Sequence, residues 1–258
     1  MTKVLYLKSI VEGISFRSRT EGRLNPIIDP TVVASHSRSI FETTGMFNLI
    51  YRSAETPDEK IILYNLWVHA GLAYRQRFTD VIQTSENRKK ADDEQQLMAD
   101  LVQDIQATTL FNHLDDRQKK KIKLMLEQKN YLIKFEPANN VRLLHWHDLI
   151  GMRHIKPGYL DHLYTYYSLY AHPSNVAVFQ FAELFQPGNE QYEQLTIFSL
   201  KNVFVLISIF INDYIKVFPR VLDTFNSLPL FEQIVIDFHN RYMRGYEFAI
   251  NDSWKELG

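Results

Sequence analysis

The 258-residue sequence predicts an all-α fold, a single bundle of about seven to nine helices. Three observations lead there. Gly and Pro number nine each, about 7% of the chain together, against roughly 12% in average usage. That leaves little material for the frequent turns of a β-rich fold. Helix-start signals recur along the chain, and between them apolar residues return at spacings of three and four. With 45% hydrophobic and 23% charged residues, the composition suits one domain over 1–258. Its motif-bearing core would cover 30–185, with C-terminal helices over 190–250 packing on it.

The elements follow in order. Val4, Leu7, Ile10 and Ile14 predict a first helix to about Arg19, followed by a loop through Asn25-Pro26. Asp29-Pro30 is a strong helix start, Asp as cap and Pro in the first turn, and that helix should reach about Ala54. Thr56-Pro57-Asp58-Glu59 has the spacing of a capping box and opens a helix to about Thr79. More polar helices are expected from Ser85 to Leu110 and from Asp115 to Lys129. Glu136-Pro137-Ala138-Asn139-Asn140 reads as a break. A short helix over Asp148–Arg153 comes next, then one from Tyr159 to Ala171, ended by His172-Pro173. Further helices are predicted over Asn175–Phe185, Glu190–Phe218 and Ser227–Tyr246.

Composition also narrows the chemistry. A net charge of −1 gives no electrostatic support for nucleic-acid binding. The absence of cysteine removes thiol catalysis, disulfides and Cys-ligated metals. It fits a reducing compartment, so a cytoplasmic location is expected. Residues Met1 to Gly22 interleave apolar residues with charges and lack a signal-peptide layout. Leu195 to Phe218 is apolar but interrupted by Lys201, Asn202, Asn212 and Asp213, and reads as a buried helix rather than a membrane span. No cofactor is expected, partners are not specified, and a homo-oligomer is compatible with the aromatic helices.

Five of the nine histidines (His145, His147, His154, His162, His172) fall in one segment, beside Trp146 and a run of tyrosines. Three readings compete for it. A metal site lacks the i,i+4 histidine pairing of a helical zinc motif, and no metal is assigned. An acid–base or nucleophilic site would use the polar stripe Asp161, Thr165, Ser168, His172, whose bland alternative is hydroxyls bonding back to helix carbonyls. The third reading rests on Arg142 and His147, four residues apart. Their spacing resembles the Arg-x4–6-His motif of the HEPN helical nuclease superfamily, which implies phosphate binding. A second polar stripe joins Arg38 and Glu42 at i,i+4. As a buried pair it would be costly unless further bonded, which makes it a candidate pocket lining.

Two segments, Ser37-Arg38-Ser39-Ile40-Phe41-Glu42 and the stretch from Trp146 through Tyr167-Ser168 to His172-Pro173-Ser174, together resemble a widespread bacterial family of helical proteins that carries an unknown-function label. The resemblance implies a helical fold and no reaction. Arg38, Glu42, Trp146, Ser168 and His172 are its motif positions, while His147 stands where the family pattern has a small residue. With His147 and Tyr167 added from the residues themselves, Arg38, Trp146, His147, Tyr167 and Ser168 are candidates for binding, and His172 and Glu42 for catalysis. Tyr167 would donate a hydrogen bond. The expected function is a scaffold or a partner- or ligand-binding protein. The alternative is a hydrolase-like enzyme acting on a phosphodiester or nucleotide.

Overall fold

The computed structural model describes residues 2–17, 23–81, 84–172, 174–184, 191–253 and 255, without the side chains of 15–17, 23–27 and 181–184. Pro173, Glu190 and the Gln186–Asn189 turn signal lie outside the described residues. The fold is all-α. In order the elements are α1 (Thr2–Val11), β1 (Ile14–Arg17), β2 (Arg23–Ile27), α2 (Pro30–Phe47) with a π-helical extension (Asn48–Arg52), α3 (Pro57–Arg75), α4 (Ser85–Ala107), α5 (Thr109–His113), α6 (Asp116–Glu127), β3 (Ile133–Glu136), β4 (Asn140–Leu143), a 3-10 helix (Trp146–Arg153), α7 (Leu163–Ala171), α8 (Asn175–Leu184), α9 (Gln191–Val217), α10 (Leu222–Asn226) and α11 (Leu230–Arg244).

The caps explain most of the boundaries. Asp29 Oδ1 accepts from the Thr31 backbone N–H and hydroxyl at the start of α2. Thr56 accepts from Glu59 N, and Glu59 Oε2 reaches back to Glu55 N, a variant of the expected capping box. Asp115 caps α6 by accepting from Gln118 N. The structure differs from the predicted elements at several places. The first helix stops at Val11 because Gly13 takes φ 76° and the chain turns into an antiparallel strand pair. Two residues of β2, Asn25 and Pro26, there stand opposite one of β1, an irregularity that tolerates a proline without a ladder donor. The break at 136–140 is the turn of a second hairpin, with Lys134 paired to Arg142 and Phe135 to Val141; Ala138 and Asn139 turn it in left-handed conformations. The helix expected from Tyr159 begins only at Leu163, after a Pro157-Gly158 turn and a left-handed Leu160.

The chain divides into two compact units: unit 1 takes in Met1–Met46 and Leu149–Gly258, unit 2 Phe47–Asp148. Unit 2 has a core of Ile62, Leu63 and Leu66 from α3, Ile105 from α4, Ile122 and Met125 from α6, and Ile133 and Val141 from the hairpin. In unit 1, Leu7 of α1, Val33 and Ile40 of α2 and Val203 of α9 pack together.

Among the described residues α9 is the one helix long and apolar enough to cross a membrane. Three of its four polar interruptions are used for packing, while Lys201 is exposed. Asn202, Asn212 and Asp213 are buried. The Ser208 hydroxyl lies 2.9 Å from His239 Nδ1, Asn240 Nδ2 donates to Ser208 O, and Arg244 Nη2 meets Asp213 Oδ1 at 2.7 Å. These contacts lock α9 to α11.

Two histidines give this fold a pH dependence. Burial lowers both His69, in α3, and His239, in α11, below the ordinary 6.5. The folded state therefore binds fewer protons than the unfolded one. Their contribution is complete above 6.5 and is lost as pH falls through the folded values. Asp237 works the other way. Burial raises its carboxyl above 3.8, so its folded state favours protonation and recovers some stability in stronger acid. Thermal unfolding should show Tm falling as pH drops below 6.5, with a flatter profile in His69→Gln/His239→Gln. An acid limb identical in the variant and the parent would exclude this cause.

Candidate functional site

Helix α2 holds the first half of the site and α7 the second, both within unit 1. Arg38 and Glu42 are one turn apart on α2, and Arg38 Nε meets Glu42 Oε1 at 2.9 Å. The rest of the guanidinium is bonded across to the other segment. Nη2 donates to the Tyr164 hydroxyl at 2.8 Å, and Nη1 lies 2.6 Å from His172 Nε2. An arginine can only donate, so Nε2 is the acceptor in that contact and the imidazole proton sits on Nδ1. The Arg38 and Glu42 side chains are 21% and 27% exposed, neither sealed in the core nor free in water. His172 ends α7 in an extended conformation (φ −105°, ψ 151°), which swings its ring off the helix toward α2.

His172 also forms one wall of a groove of about 440 Å³, with Val32 and Ser35 of α2, Ala171 of α7 and Ala177 and Val178 of α8. Ser174 caps α8 by accepting from Ala177 N. The clamp of Arg38, Glu42, Tyr164 and His172 therefore reaches an open, mainly apolar depression through His172.

Beneath the clamp, α2 makes a second, hidden arginine site. Arg153 has no exposed surface. Its guanidinium lies 4.2 Å from the centre of the Phe41 ring, and its Nη2 donates to Phe41 O and to Thr44 Oγ1. Nε and Nη1 have no hydrogen-bond partner among the described residues. Burial pulls the guanidinium down to about 9; Asp213 opposes that loss of charge and Arg244 adds to it. Room for Arg153 exists because residue 45 is glycine. A Cβ there would lie 2.9 Å from Arg153 Nη2 and 2.9 Å from Leu149 Cβ.

The structure thus unites Arg38, Glu42 and His172 and treats the other nominated residues differently. Tyr167 is fully buried, and its hydroxyl donates to Ser199 O at 3.3 Å. Burial pushes that phenol well above its ordinary value. The phenol at the clamp is that of Tyr164, which nothing in the tyrosine run distinguished. Ser168 donates back to Tyr164 O at 2.8 Å, the helix-carbonyl bond considered above, and Asp161 precedes α7, accepting from Gly158 N.

Trp146 and His147 belong to unit 2. Trp146 stands edge-on to Tyr131. His147 stacks on His145 with ring centres 5.5 Å apart, and both His147 and Arg142 approach Asp148 Oδ1, at 3.8 and 3.1 Å. The Arg142–His147 pair is presented from a strand and a 3-10 helix rather than from one helix. Among the described residues no three His, Asp or Glu side chains gather as metal ligands.

Against known proteins, no family model, no curated protein and no solved structure matches this chain.

Proposed function

We propose that this is a ligand-binding protein whose site is the Arg38–His172 clamp and the groove it borders. The observation that carries this reading is the meeting of Arg38, Glu42, Tyr164 and His172 at hydrogen-bonding distance, from segments 134 residues apart, beside a cavity of ligand size. Such a guanidinium is held in one orientation before any ligand arrives, so little side-chain entropy is lost on binding. The resemblance to a bacterial helical family and the cytoplasmic location are part of the same proposal, and a homo-oligomer is compatible with it.

The alternative is a hydrolase-like enzyme on a phosphodiester or nucleotide, with His172 as acid or base and Glu42 orienting it through Arg38. The continuous chain from Glu42 to His172 favours that reading. The engagement of the Ser168 hydroxyl with its own helix removes the nearest nucleophile, so water would have to attack.

The test is a fragment screen by protein-observed NMR on the parent protein and on Arg38→Ala. Anionic fragments should shift groove resonances in the parent and lose about tenfold or more in affinity in the variant. Fragments that bind Arg38→Ala as well as the parent would remove the clamp from the site. Hydrolysis of a phosphodiester by the parent, abolished in His172→Ala, would move the assignment to the enzyme.

A further inference from the structure

We infer that the groove takes an amphipathic monoanion, a carboxylate carrying an apolar tail. This rests on the ligand-binding reading and names the ligand's chemistry. Three features of the site point to it.

The first is the direction of the hydrogen bonds. Arg38 donates to His172 Nε2, which leaves Nδ1–H as the imidazole's remaining donor, without a protein partner among the described residues. A carboxylate accepting from Nδ1 completes a chain running one way, from guanidinium through imidazole to anion, in which each bond polarises the next. The ring offers one donor, and a single acceptor oxygen satisfies it.

The second is charge. Glu42 already offsets Arg38 at 2.9 Å, and Asp29 stands at the start of α2, its Oδ1 held by Thr31 N and Oγ1. Lys3, the cation bonded to this stretch of α2, is turned to Ser39 and Thr43 instead. One guanidinium against two carboxylates leaves no surplus positive charge, so a dianion such as a phosphate monoester is opposed more strongly than a monoanion, whose single charge rests on the Nδ1–H donor.

The third is the wall. Val32, Ala171, Ala177 and Val178 line the groove beside the polar end. Val32 and Val178 are 41% and 57% exposed, apolar surface that a tail would cover at roughly 25 cal/mol per Å². Small side chains at 171 and 177 leave the tail its room.

The experiment is titration of the full chain with four probes, octanoate, acetate, 1-octanol and inorganic phosphate, followed by calorimetry and by the His172 imidazole NMR signals. Octanoate should bind about tenfold or more tighter than either acetate or octanol, and the His172 signals should move. Arg38→Ala and His172→Ala should each weaken octanoate by about tenfold or more. Val178→Asp, at an exposed position where folding is not at stake, should weaken it as well. Phosphate binding at His172 with no octanoate binding would overturn the carboxylate assignment and leave the ligand-binding reading standing. Octanoate binding that is indifferent to Arg38, His172 and Val178 would overturn the assignment too. Failure of all four probes would also overturn it, while the fragment screen on Arg38→Ala decides the broader reading separately.

Discussion

Asp213→Ala is expected to cost about 3–5 kcal/mol of folding stability, because it strands the Arg244 guanidinium in the interior without its carboxylate. Both side chains are essentially inaccessible, at 2% and 0%, and the contact is 2.7 Å. The loss propagates to Arg153, whose charge Asp213 helps to hold. A buried pair need not be worth that much against an apolar substitute, since both ions must be desolvated. Asp213→Leu/Arg244→Leu should therefore lose much less than the two single changes added together. Urea unfolding of the singles and the double measures this directly. A double as damaged as the sum would mean that the two residues act independently.

Gly45→Val should be the second large effect, about 3 kcal/mol or somewhat less. The Cβ would already press on the Arg153 guanidinium and on Leu149, and the added methyls have nowhere to go. Arg153 cannot step aside, for its Nη2 is committed to Phe41 O and Thr44. If Gly45→Val/Arg153→Ala is more stable than Gly45→Val alone, the clash with the guanidinium is the cause. A Gly45→Val protein with unchanged urea midpoint would show that the close approach is not a constraint.

The helices were legible from the sequence because caps and periodicity are local. Asp29 and Thr56 act as caps as their neighbours predicted, and Asp115, expected to open a helix, caps it. The two hairpins were not, since four- or five-residue strands barely establish a period of two, and the Asn25-Pro26 and Pro137–Asn139 segments look like loops on local grounds. Arg38, Glu42 and His172, which the structure brings together, could be nominated because a pair at i,i+4 and a histidine before a proline are local signals. Choosing between Tyr164 and Tyr167 was beyond the sequence, because the helix begins at Leu163 rather than Tyr159 and that start decides which tyrosines face the core. Arg153 was equally hidden: an arginine at the end of a short polar segment reads as surface, and its burial depends on Gly45, 108 positions earlier.

The division at Met46/Phe47 and Asp148/Leu149 has a consequence for synthesis of the chain. Unit 2 is one unbroken stretch, whereas unit 1 is assembled from two stretches on either side of it. A ribosome releases Arg38 and Glu42 early, then all of unit 2, and only afterwards Tyr164 and His172. During that interval α2 carries a polar stripe with no cross-partner and an apolar face awaiting α9. Unit 2 can finish folding first, and the clamp can close only after all of unit 2 has been made.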